Sequence, residues 1–147
     1  DGGAIFETEI INIKNKDYIS DLQYKALKHI KDSSKRLISD IKCGKLNLTS
    51  QPKYPFILLP ALNEKSGEIF IDLSSCKQAM QIIRSCSIPF PGAFVSHKEH
   101  SFRIWKADYY QKKCLKSEIE KKIWVKNDAL FLVLKDGIIK SVNFEPL

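Results

Sequence analysis

The spacing of apolar residues changes along the chain, and each change marks an element. Residues 4–13 hold Ile5, Phe6, Thr8, Ile10, Ile11 and Ile13, a density of β-branched and aromatic side chains that predicts a strand. The glycines before it supply a turn that side chains would obstruct. From Tyr18 to Cys43 the period lengthens. Leu22, Ala26, Leu27, Ile30, Leu37, Ile38 and Ile41 recur at steps of three and four, with lysines on the other side, which predicts a long amphipathic helix. Asn15 and Asp17 are candidate caps at its start, and Gly44 stands where a C-terminal cap is expected.

Lys45 to Lys65 follows neither period. Pro52, Pro55 and Pro60, with Gln51 and Asn63, predict an extended connector between two lobes. Beyond it, Ser75-Cys76-Lys77-Gln78 is a capping-box pattern that opens a helix with a stripe of Ala79, Ile82, Ile83 and Cys86. Pro89 and Pro91 end that helix. The remainder predicts strands over residues 93–96, 102–109, 122–126, 130–134 and 138–144, with Asp136-Gly137 as the tight-turn pair between the last two. Residues 112–121 are polar and predict a loop or short helix. One helix feeding four or five antiparallel strands makes an α+β chain ending in a small barrel.

Composition adds constraints. The 147 residues are 44% hydrophobic and 28% charged, as in a globular protein. No apolar run approaches the roughly 20 residues that span a bilayer, and no secretory leader is seen, so no membrane partner and a cytoplasmic location are expected. The chain starts at Asp1 and its only methionine is Met80, so a processed or excised segment is expected. A net charge of +7 favours anionic partners, or else reflects lysine-rich solvated faces. Cys43, Cys76, Cys86 and Cys114 form no Cys-x-x-Cys pair and read as reduced thiols. His97 and His100 lack a third ligand at fixed spacing, so no metal is expected. Lys112, Lys113, Lys116, Lys121, Lys122 and Lys126 form the densest basic stretch, with Tyr109, Tyr110 and Trp124 nearby; they are candidates for tracking a phosphate backbone and stacking on bases, or for a solvated loop relieved by Glu118 and Glu120.

Several segments together carry a resemblance. Asp1-Gly2-Gly3-Ala4-Ile5 resembles the Asp-x-Gly-x-Ile that ends the catalytic domain of the folate-dependent formyltransferases, a family including methionyl-tRNA formyltransferase and the amino-sugar N-formyltransferases. Ile82-Ile83-Arg84-Ser85 and then Pro89-Phe90-Pro91-Gly92-Ala93-Phe94 resemble its Ile-Arg-Ala helix end and the proline-glycine turn of its C-terminal domain. Arg103-Ile104-Trp105-Lys106-Ala107 resembles its first barrel strand, and Gly67-Glu68-Ile69 its Gly-x-Ile. Two departures stand out. Phe70-Ile71-Asp72-Leu73-Ser74 replaces the family's Asp-Trp-Ser segment, and Lys121-Lys122-Ile123 its last Pro-Gly-x-Ile turn.

The resemblance implies a strand–helix remnant of a Rossmann-like formyltransferase domain over residues 1–50, a linker over 51–64, and an OB-like antiparallel β-barrel domain over 65–147. It implies 10-formyltetrahydrofolate as formyl donor and an amine acceptor, either initiator methionyl-tRNA or a nucleotide-linked amino sugar. Amine attack needs a proton acceptor and a stabilised oxyanion. The family uses an Asn, a His and an Asp for this work, and only the aspartate has a counterpart, Asp1. The Asn-x-His segment does not occur in these residues, and neither His29, His97 nor His100 fits it. The chain alone is therefore expected to lack turnover, its role being to position the acceptor. The alternative is a non-catalytic OB-like module that binds RNA or a protein partner.

Overall fold

The computed structural model describes residues 3–51, 61, 63–111 and 114–147. Contacts divide the chain into two units, one of Asp1–Asp17 with Asp21–Ala61, the other of Tyr18–Ser20 with Leu62–Leu147. Residues 52–60 and 62 of the expected connector lie outside the described residues.

The helical period of residues 18–43 is realised as α1, Ile19–Lys42. Gly44 closes it with φ +63°, while Lys45 N donates to Asp40 O at 2.9 Å and Gly44 N to Ile41 O at 3.2 Å. These bonds satisfy carbonyls that the last turn leaves open, in a left-handed geometry that favours glycine. Before the helix, Asp17 accepts from Lys14 N at 2.8 Å and pairs with Lys25. The expected strand over residues 4–13 does not form. Among the described residues its ladder is one bridge, Ile5 N to Thr49 O at 2.7 Å and Thr49 N to Ile5 O at 2.8 Å. Side chains hold the rest: Ser33 Oγ and Arg36 Nη2 donate to the Glu7 carboxylate at 2.7 and 2.5 Å. β-branched residues supply a backbone preference, but a strand also needs a partner edge and a surface to cover. Ile10 and Ile13 meet no such surface, being 88% and 72% exposed. No residue of α1 is buried either.

The second unit is built differently. A 3-10 turn, Glu64–Gly67, leads to helix α2, Cys76–Cys86. The predicted capping box is present: Gln78 N donates to Ser75 Oγ at 3.2 Å, and Ser75 N to Gln78 Oε1 at 2.9 Å. Five strands follow, β1 Ala93–His97, β2 His100–Gln111, β3 Ile123–Lys126, β4 Ala129–Leu134 and β5 Gly137–Pro146, with a short helix α3, Lys116–Lys121, between β2 and β3. All neighbours are antiparallel, in the order β1-β2-β5-β4-β3. Three register shifts along the β2–β5 pair bend it, as bulges do, and the sheet curls into a half-barrel. This is a small OB-like domain with one leading helix.

The main core lies between α2 and one face of the sheet. Ala79 and Ile83 from α2 meet Ile104, Leu130, Leu132 and Ile139 from the strands. Burying each large aliphatic side chain here is worth about 1.5–3 kcal/mol. Tyr18 packs on the same core, where its hydroxyl donates to Ala107 O and accepts from Ala107 N, both at 3.3 Å. The β4–β5 turn sits one residue earlier than predicted. Lys135 and Asp136 form the turn, because Leu134 already pairs with Gly137. The shift aims the Asp136 carboxylate at the start of α2, where it accepts from Cys76 N at 2.6 Å. Among the described residues no helix is long and apolar enough to cross a membrane.

Candidate functional site

Strand alternation gives the sheet a second face, away from α2. Register aligns four residues straight across it: Trp124 opposite Phe131, Phe131 opposite Lys140, and Lys140 opposite Asp108. Trp124 stacks on Phe131 with ring centroids 5.2 Å apart and planes 5° from parallel. Tyr110 meets Phe131 edge-on, at 5.1 Å and 74°. Both geometries suit the quadrupoles of aromatic rings. Lys140 Nζ lies 5.9 Å from the Phe131 centroid, within cation–π reach. Ala129, Val133 and Ile138 complete a small core with Phe131. Phe131 is buried, Trp124 half-buried and Tyr110 exposed, so the group is a rigid aromatic step with one cation on it. Such a step can take a planar ring and a neighbouring anion.

The basic residues singled out in the sequence are not brought into one patch. Lys116 and Lys121 begin and end α3. Lys122 follows with φ +59°, and its Nζ lies 2.8 Å from Asp72 Oδ1. That hydrogen bond holds the Asp72 carboxyl below its ordinary range, so Lys122 is already neutralised. Lys126 ends β3 two residues from Trp124, on the same side by alternation. Lys112, Lys113 and Asp1 lie outside the described residues. Tyr110 and Trp124 meet through Phe131, whereas Tyr109, opposite Ile139, alternates away from them. Sequence reasoning missed Phe131 and Lys140, although strand parity from Trp124 and the turn at Asn127-Asp128 would have aligned Phe131. That turn has positive φ at both residues, 49° and 54°, as a two-residue hairpin prefers.

Two of the thiols, Cys76 and Cys114, are poor nucleophiles. Burial, and then the neighbouring Asp136 carboxylate, push Cys76 up to about 12. Burial also raises Cys114. Asp136 itself is held low by the Cys76 N–H it accepts. Among the described residues no three His, Cys, Asp or Glu side chains are grouped to hold a metal.

A second constellation surrounds the proline-glycine turn. A Cβ on Gly67 would stand 2.8 Å from Gly92 O, and one on Gly92 (φ +93°) 3.0 Å from both Arg103 Cγ and Trp105 Nε1. Ile69 N donates to Phe94 O at 2.8 Å, and Phe94 pairs in register with Arg103. Three segments distant in sequence are thus locked together by backbone approach.

No family model matches the chain, and no curated protein matches it. Solved structures do. A variant of HypX from Aquifex aeolicus superposes with TM-score 0.79 at 11% identity, over 98% of this chain and 26% of that one. A second HypX variant from the same organism gives 0.61 at 12% identity, over 80% and 20%. At such identity the likeness shows the fold. This chain spans about a quarter of the length of the first of those two chains, 26%.

Proposed function

We propose that this chain is a segment of a folate-dependent formyltransferase and that its second unit positions the amino acceptor. The observation that carries the reading is the convergence at the turn. Gly67-Glu68-Ile69, Pro89–Phe94 and Arg103–Ala107 resemble the family separately in sequence, and they pack on one another in space. The half-barrel with its leading helix agrees with the formyltransferase-related architecture that those motifs imply.

In the complete enzyme, 10-formyltetrahydrofolate supplies the formyl group and an unprotonated amine attacks it. Asp1 would orient and charge-balance the family's histidine while protons move. The Asn-x-His segment is not in these 147 residues, so the chemical step belongs to another part of the enzyme. The favoured acceptor is initiator methionyl-tRNA in the cytoplasm. The support for it is the aromatic step, with Lys140 on it and Lys126 on the same side of β3 as Trp124. A nucleotide-linked amino sugar is the alternative, favoured by the Pro89–Phe94 turn, whose spelling resembles the sugar enzymes at least as closely.

Two measurements test this. The full-length polypeptide is expected to transfer formyl from 10-formyltetrahydrofolate to one of these acceptors, while residues 1–147 alone are inert; no transfer to either acceptor would sink the assignment. Initiator tRNA is expected to bind the 147-residue chain with an affinity that falls as salt rises. Trp124→Ala with Lys140→Gln should weaken that binding about tenfold, within the range for lost stacking. Absence of binding at low salt moves the acceptor to the sugar class.

A further inference from the structure

The turn that locks the motifs together also leaves a groove, formed by two adjoining hollows that share Pro91 and Gly92. One, of about 250 Å³, is walled by Lys65, Phe94, Arg103 and Leu147. The other, of about 270 Å³, is lined by Asn63, Ser66, Cys86 and Phe90. Each holds a single sugar, phosphate or base, and the two together reach the size of ordinary small-molecule sites. The floor at Gly92 is bare backbone, because a side chain there would strike Arg103 and Trp105.

The charged groups at one end of the groove are cations with donor capacity to spare. Arg103 forms a long, partly exposed ion pair with Glu145, Nη1 to Oε1 at 3.6 Å, too long for a hydrogen bond. A guanidinium carries five N–H groups, so most of its capacity is open. Lys65 is exposed and makes no ion pair among the described residues. The indole nitrogen of Trp105 lies 3.0 Å from where a Gly92 Cβ would stand, so its signal reports on that glycine. Two cations at one end of the groove match a phosphate. At the other end the walls are uncharged: Phe90 presents a partly exposed ring, and Asn63 and Ser66 offer an amide and a hydroxyl.

We infer that this groove is a nucleotide subsite, with Lys65 and Arg103 holding a phosphate across Gly92 and with the sugar or base lying between Pro91 and Phe90. It is distinct from the aromatic step of Trp124, and it does not depend on the formyl-transfer reading. The ligand is a nucleoside 5′-phosphate, either free or as the end of an RNA.

The test uses the 147-residue chain, labelled for amide and indole NMR and titrated with ADP, UDP and, separately, initiator tRNA. Saturable shifts are expected at Gly67, Gly92 and the Trp105 indole, with those of Trp124 unmoved by free nucleotide. Arg103→Gln should weaken binding about tenfold and Lys65→Gln by a smaller factor, as loss of charge-assisted hydrogen bonds requires. Arg103→Lys, which keeps the charge, controls for misfolding and should retain most of the affinity. Shifts at these signals with tRNA alone assign the ligand to an RNA end. The inference is overturned if none of the three ligands moves these signals at millimolar concentration, or if the Lys65→Gln/Arg103→Gln double variant binds as well as the parent.

Discussion

Helix α1 and strand β4 are both rich in apolar residues, yet α1 buries none of its positions and β4 buries all six. The difference is partnership. β4 has β3 and β5 along its edges, α2 and the main core over one face, and the small core of Phe131 on the other. α1 has a well-formed stripe and a well-formed end, but Leu27, Ile30, Ile38 and Ile41 stay more than half exposed. An amphipathic period specifies a face; it does not supply what the face packs on. Most helical stability comes from such packing, so the two units should respond unequally to equal changes.

The largest contrast is expected from core truncation. Ile83→Ala in α2 or Leu132→Ala in β4 should cost about 2–5 kcal/mol in denaturant unfolding followed by tryptophan fluorescence. A loss under 1 kcal/mol would mean that the second unit is not the stable one. Next comes a pair of glycines. Gly67→Ala meets the backbone carbonyl of Gly92 at 2.8 Å, which cannot easily yield, and should cost about 1–3 kcal/mol. Gly44→Ala has no atom within 4 Å and should suffer only the strain of its positive φ, about 1 kcal/mol. Equal costs would remove the distinction.

A smaller effect is expected at Asp136. Asp136→Ala deletes an acceptor at the first turn of α2 and should cost about 1 kcal/mol at neutral pH, the size of a lost cap. Its folded pKa is lowered, so its contribution is full above the ordinary carboxylate value and is lost as pH falls through the folded value. The variant's stability should therefore fall less steeply below pH 4 than the parent's, and parallel acid limbs would contradict this. The smallest change is Leu27→Ser on α1. At 62% exposure it should alter the unfolding of the second unit by no more than about 0.5 kcal/mol. A loss of 2 kcal/mol there would show that the stripe is covered in solution.

Where a local rule decides the outcome, the sequence was readable. Ser75-x-x-Gln78 became a capping box, Gly44 a left-handed cap, and residues 93–144 five antiparallel strands. Where a distant partner decides, it was not. Nothing local shows that, among the described residues, residues 4–13 find only Thr49 for a bridge, that Asp136 reaches Cys76 sixty positions back, or that Tyr18 bonds to Ala107. The candidate site divides the same way. Trp124 and Tyr110 were visible as residue types, but their meeting over Phe131 depends on strand register. Lys122 looked free until Asp72 proved to be beside it. The pair of cations at the proline-glycine turn was hidden because the motif reads first as a backbone device.

The completeness with which β4 is buried has a consequence during synthesis and refolding. Ala-Leu-Phe-Leu-Val-Leu is a six-residue run with no charge, proline or glycine, the kind of segment that self-associates when unpaired. Its flanks are polar on both sides: Lys126, Asn127 and Asp128 precede it, and Lys135 and Asp136 follow. Charges in those places act as gatekeepers, making stacked copies repel at each end. The residues that shape the two hairpin turns in the folded chain thus also guard the unfolded one, and neutralising them would show first as lower soluble yield.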